Sequence, residues 1–297
     1  MSIVEKALSK IQEKRAMQPP VPAEVRAEGR ERIRPPAGKP VVPAVSVAAE
    51  HLGPTIHVNR AHLQELGVLA PDSVQQRIAD EFRRVKWPLL GAAFGRSTES
   101  VPRGNVIMVA SAMPDEGKTF CAANLALSVA QERDCSVLLV DADIARTRLS
   151  EAFGINKLPG LVDLLSNPGA ELRRLVAATD IPGLRVLSAG QKSARAPELL
   201  ASQKMDDLIA QLSRDAPDQI VIFDSSPLLA TNEAQVLSRL VGQVLVVVRA
   251  GSTPAPAVSE ALALLDRTKA ISLMLNQVQR LWHSPRYYGD YYATHGQ

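Results

Sequence analysis

Apolar and polar positions change their rhythm several times along the chain. Residues 2–16 set Ile3, Val4, Ala7, Leu8 and Ile11 at helical spacing, with Glu5, Lys6, Lys10 and Glu13 on the other faces, which predicts an amphipathic helix over 1–16. From Met17 the periodicity dissolves into Pro, Ala, Val and charge, including Pro19-Pro20, Pro22, Pro35-Pro36, Pro40 and Pro43, and 17–71 reads as a linker. Asp72 to Leu90 restores a helical stripe through Val74, Ile78, Phe82 and Val85, with an end predicted at Trp87-Pro88, and opens a domain over 72–278. After Gly104 short apolar runs alternate with helical stretches: Val106 to Ala110, Thr119 to Glu132, Ser136 to Val140, Leu161 to Leu165, Leu184 to Leu187 and Pro197 to Arg214. The alternation continues as Gln219 to Phe223, Glu233 to Leu240, Gln243 to Val248, Ala255 to Lys269 and Ser272 to Leu275. Strands that are apolar throughout and alternate with helices predict an α/β fold, a mostly parallel sheet covered by helices on both faces. Residues 279–297 read as a tail.

Composition narrows the setting. The chain has 297 residues, 46% hydrophobic and 22% charged, enough apolar material for one sizeable core. Net charge is +3 with the basic residues scattered, so no nucleic-acid partner is expected. Two cysteines, Cys121 and Cys135, cannot build a disulfide framework and fit a reducing compartment. Apolar runs such as Val244 to Val248 are far shorter than the roughly 18 residues that span a bilayer. The first residues lack a secretory pattern, so a cytoplasmic location is expected. For the helix over 1–16, a frayed terminus and a partner-binding or membrane-surface element both remain open.

The strongest chemical signal is Ala112-Met113-Pro114-Asp115-Glu116-Gly117-Lys118-Thr119, a Walker A loop with Ala at the usual first Gly, set between a predicted strand and a predicted helix. Loop amides and the helix N-terminus suit phosphates, Lys118 the β/γ oxygens, and the Thr119 hydroxyl Mg²⁺. Pro114, Asp115, Glu116, Gly117, Lys118, Thr119 and Phe120, together with Asn276, form the candidate nucleotide-binding set. Asp141 and Asp143 end a second predicted strand and Asp224 a third, at the sheet edge that parallel strands share with the loop. Beside a Walker A, carboxylates there suit a metal and a proton acceptor, because MgATP chemistry needs both. All four tyrosines, Tyr287, Tyr288, Tyr291 and Tyr292, crowd the end of the chain among Pro285, Gly289, Asp290 and Gly296. The segment lacks apolar periodicity, so these hydroxyls are candidate phosphoacceptors rather than core.

On these residues the chain resembles the bacterial tyrosine kinases that regulate capsule and exopolysaccharide chain length, in particular their exosortase-associated autokinases. Ser111 to Thr119 resembles the family's Walker A, Val137 to Asp143 its Walker A′ strand, and Val221 to Asp224 with Ser225-Ser226-Pro227 its Walker B. Pro197-Glu198-Leu199-Leu200, the tyrosine cluster and the opening Ser2 to Leu8 also match. The resemblance implies a P-loop NTPase fold of the ParA/MinD-like kind and ATP with Mg²⁺ as cofactors. It implies Lys118, Asp141 and Asp143 as catalytic residues and Thr119, Asp143 and Asp224 around the metal, with Asp141 the candidate base or metal-water ligand. It further implies tail phosphorylation between subunits of a homo-oligomeric ring, and a separate membrane-anchored activator of the chain-length-determinant type that holds the kinase at the inner membrane. Glu81 and Arg84 are similar to the family's oligomerisation motif, whose second Arg is replaced here by Trp87. The A′ motif usually carries Arg where this chain has Ala145, with Arg146 next, and no role is carried over to that arginine. The alternatives are a ParA/MinD-type ATPase switch without kinase activity, against which Met113 stands in place of that group's extra Lys, and an idle binding module, against which the intact site residues stand.

Overall fold

A computed structural model describes residues 52–95 and 101–278 of the chain. The predicted helix over 1–16, most of the Pro-rich stretch and the tail with Tyr287, Tyr288, Tyr291 and Tyr292 lie outside the described residues. The described elements run β1 (Thr55–Ile56), α1 (Arg60–Glu65), α2 (Asp72–Ala93), β2 (Val106–Ser111), α3 (Lys118–Ala130), β3 (Ser136–Asp141), α4 (Arg148–Ala152), α5 (Leu161–Ser166) and α6 (Leu172–Leu175). They continue as β4 (Ala177–Thr179), β5 (Leu184–Leu187), α7 (Ala196–Leu200), α8 (Gln203–Asp215), β6 (Gln219–Asp224), α9 (Asn232–Leu240), β7 (Gln243–Arg249), α10 (Ala255–Ala263) and β8 (Ala270–Asn276). The strands form one eight-stranded sheet in the order β1-β4-β5-β3-β6-β2-β7-β8. Every pairing is parallel except β4 with β5.

The sheet is apolar on both faces because helices cover both, and its side chains divide by the two-residue period of a strand. In β2, Ile107 and Val109 join Leu63, Phe82, Leu89 and Leu125 on one face. Val106, Met108 and Ala110 join Leu161, Met205 and Leu237 on the other. The fold is that of a P-loop NTPase, and no helix among the described residues is long and apolar enough to cross a membrane. One buried charge in the core is satisfied locally: Lys86 donates to Ser128 O at 2.6 Å and pairs with Glu132 at 2.6 Å, tying α2 to α3.

Several boundaries differ from expectation. The linker predicted over 17–71 ends earlier, since Thr55 and Ile56 pair with Ala178 and Thr179, and Leu63, Val68 and Leu69 are buried. Asn59 caps α1 through its side chain, and Asn124 donates to Val68 O at 3.0 Å. Helix α2 continues through Pro88 to Ala93, because Leu89 is core and its carbonyl accepts from Gln243 Nε2 at 2.9 Å. The proline removes one helical hydrogen bond, and this packing compensates. Pro197 to Arg214 is two helices, separated where Ser202 Oγ donates back to Leu199 O at 2.6 Å. The helix predicted to reach Lys269 stops at Ala263, and beyond it the Asp266 side chain accepts from Thr268 N in a turn.

Candidate active site

Parallel strands deliver their C-terminal ends to one edge, and there the candidate residues converge. Val109 pairs with Asp224 and Asp141 pairs with Asp224 in the sheet, so β2, β3 and β6 end side by side, and the loop 112–117 leaves β2 directly into α3. The loop's shape depends on two left-handed residues, Asp115 at φ 61° and Gly117 at φ 92°. Gly117 is required twice over: a Cβ there would lie 2.1 Å from Asn276 Nδ2. Asn276 sits at the end of β8 and donates to Glu116 O at 2.9 Å, which brings this distant candidate onto the loop. Phe120 packs its ring at 59° and 6.1 Å from that of Phe82, fixing the start of α3 against α2.

The charges behind the loop are sealed from water. Lys118 is only 7% exposed; burial lowers its pKa, while Asp224, Asp143 and Glu116 pull the other way. Asp224 is 1% exposed, and neither carboxylate oxygen has a partner of hydrogen-bond geometry. Burial first, then Asp141, pushes its pKa up to about 8, although the neighbouring Thr119 hydroxyl and Lys118 favour its ionised form. An orphaned, fully buried carboxylate beside a hydroxyl and an ammonium is an environment that a divalent cation would relieve. Asp143, on the same side, accepts from Ser226 Oγ at 3.0 Å through Oδ1. Among the described residues no group of three or more acidic, His or Cys side chains could enclose a metal unaided. That donor set fits a Mg²⁺ bound by one or two carboxylates and completed by phosphate and water.

Asp141 is placed differently from its two neighbours. It is fully buried; Oδ2 accepts from Ser150 N at 2.8 Å and Ser150 Oγ at 2.6 Å, and Oδ1 from Asp143 N at 3.2 Å. These bonds fasten the turn after β3 to α4, and burial still pushes its pKa up to about 6. Two further cations reach the loop that sequence reasoning left without a role. Arg146 and Arg148 lie 3.4 Å and 3.1 Å from Asp115 Oδ1, both side chains about half exposed. Arg146 stands one position from the expected A′ arginine, and that offset concealed it. From the loop an open groove of about 1180 Å³ runs between α2 and β8, floored by Phe82, Leu89 and Met274.

No family model matches the chain. Tyrosine-protein kinase YwqD of Bacillus subtilis is 31% identical over 239 residues, 80% of this chain and 95% of that protein. The chain belongs to the bacterial tyrosine-protein kinases. Another family member, tyrosine-protein kinase ptk of Acinetobacter johnsonii, is 34% identical over 183 residues. The kinase-family chain covers 61% of its own length in that match but 24% of the Acinetobacter protein. Among solved structures, the kinase domain of Escherichia coli tyrosine kinase ETK superposes with a TM-score of 0.60 at 29% identity, covering 71% of this chain and 80% of that one. The family assignment and the P-loop geometry thus agree on the class of site.

Proposed function

We propose that the chain is an ATP- and Mg²⁺-dependent protein-tyrosine autokinase that phosphorylates Tyr287, Tyr288, Tyr291 and Tyr292 in trans within a homo-oligomer. In this reading it regulates exopolysaccharide chain length and export, with a separate membrane-anchored activator. The observation that carries it is the convergence of buried Lys118 with Thr119, Asp143 and Asp224 where β2, β3 and β6 end. Thr119, Asp143 and Asp224 would hold Mg²⁺, which would supply positive charge to the transferring phosphates. Lys118 Nζ donates to the transferring phosphoryl group, and its burial makes that charge count for more than it would in water. The loop amides and the start of α3 hold the remaining oxygens. Asp143, whose Oδ2 is left over by Ser226, faces the metal, while Asp141, the candidate base or metal-water ligand, has both oxygens engaged by Ser150 and the Asp143 amide and holds α4 in register behind it.

Incubating the full chain with ATP and Mg²⁺ and mapping phosphate by mass spectrometry tests the reading. Phosphate on the four tail tyrosines is the expected result, with a variant carrying Phe at all four unlabelled and still binding nucleotide. Phosphate confined to serine or threonine, or its absence, would sink it.

A further inference from the structure

Glu116 is an odd residue to find in a loop that receives phosphates. It carries a negative charge where anions must bind, it is 2% exposed, and it lies between the two left-handed residues Asp115 and Gly117. A non-glycine left-handed residue is strained and persists where its surroundings over-determine it. The contacts of Glu116 show what does so. Its Oε2 accepts from Met113 N at 2.8 Å and so closes the loop upon itself. Its carbonyl accepts from Asn276 Nδ2. Its Oε1 accepts from the hydroxyl of Thr253, which belongs to the connection between β7 and α10 and lies far along the chain.

That hydroxyl both donates and accepts. It donates to Glu116 and accepts from Arg249 N at 3.1 Å, while Thr253 N donates to Arg249 O at 3.1 Å, closing the turn around Gly251. One O–H that must both donate and accept is a requirement that Ser meets and Val does not.

We infer that Thr253 is a positioning residue for the nucleotide phosphates, acting through Glu116. Held from behind by Thr253, the Glu116 carboxylate points toward the β7–α10 connection rather than into the phosphate cradle, and it fixes the Met113 amide while doing so. Without that hydroxyl a buried carboxylate loses a donor and swings to find another, and the direction open to it is the loop's own amides, in competition with phosphate. Thr253 touches neither nucleotide nor metal in this scheme. The inference rests on the loop being a nucleotide site, as proposed above, but not on tyrosine being the acceptor.

The test uses the full chain with Thr253→Val, Thr253→Ser, Glu116→Ala and the Thr253→Val, Glu116→Ala pair. Binding of MgADP is followed with a fluorescent N-methylanthraniloyl analogue, and transfer is followed as KM and kcat for MgATP. Thr253→Val should raise the MgADP Kd and the MgATP KM about tenfold, the loss of one hydrogen bond to a charged group, with kcat within about twofold. Thr253→Ser should restore wild-type values. In the Glu116→Ala background Thr253→Val should add nothing, since the two act as one unit. Unchanged Kd in Thr253→Val, failure of Ser to rescue, or an equal effect in both backgrounds overturns the inference. If Thr253→Val shifts Kd as stated while the wild-type chain transfers no phosphate to tyrosine, the inference stands and the kinase reading falls.

Discussion

Lys118 and Asp224 are both buried and couple electrostatically, so each determines what happens when the other is altered. Replacing Lys118 with Met removes the cation but keeps an apolar stem of similar length, and Asp224, already pushed toward its protonated form, can remain neutral. The fold should therefore survive, with an unchanged thermal midpoint, while tyrosine labelling falls by roughly 10²- to 10³-fold for want of charge on the transferring group. Labelling at the wild-type rate would remove Lys118 from the mechanism. Asp224 also makes a prediction about pH. Its folded pKa of about 8 lies above its ordinary value of 3.8, so the native state holds a proton that the unfolded chain has released. Its contribution is complete below about pH 4 and is lost as pH rises through about 8, because stability falls with pH wherever the native state binds more protons. Without nucleotide or Mg²⁺, the midpoint should drop between these limits; Asp141 contributes over the lower part of the range, with its pKa at about 6. Asp224→Asn should flatten the slope, and MgADP should stabilise the wild type most at the alkaline end. A variant with the wild-type slope would show that another group sets it.

At the scale of elements, the segment between the Pro-rich stretch and α2 carries a stability prediction. Leu63 on α1 is fully buried among Phe82, Leu125 and their neighbours. Leu63→Ala should cost about 2–5 kcal/mol in urea unfolding, the range for a buried leucine whose cavity does not collapse. A cost under about 0.5 kcal/mol would return the segment to the status of a linker. This part of the fold escaped the sequence reading for a physical reason: β1 has two residues and α1 six, too short for either periodicity to register. The central strands were legible because each has an unbroken apolar run between polar ends, as Val106 to Ala110 and Ile220 to Phe223 do. Helix ends were less so, since the length of α2 past Pro88 is decided by Leu89 and Gln243, far apart in sequence. The loop, Lys118, Thr119 and the three aspartates were readable because their chemistry is tied to spacing along one strand and turn. Thr253 and Ser150 were not, because their partners Glu116 and Asp141 are contacts that only the folded chain creates.

For the whole molecule, the proposed chemistry sets the unmodified and modified tails against each other. A neutral tyrosine that enters a site of Lys118, Thr119, Asp143 and Asp224 meets no net repulsion once cation and nucleotide are present. After transfer it carries about 1.5 to 2 negative charges, and four such groups meet a site already occupied by the phosphates of the nucleotide. Like charges at close range repel, so the modified tail should leave the site. Chain length does not distinguish a subunit's own site from its neighbour's, because about eleven residues between Asn276 and Tyr287 span at most roughly 40 Å. The proposal of transfer in trans makes tail release a loss of contact between subunits, so modification should weaken self-association. Arg84 on α2, exposed and in no ion pair among the described residues, is the side chain proposed for that contact, two turns from the groove residues Arg77 and Ile78. Light scattering on the unmodified chain with ADP and Mg²⁺ should give a larger mass than on the phosphorylated chain, and Arg84→Ala should lower the first without altering the second. Equal masses for the two forms would rule out release by charge, whichever oligomer they share.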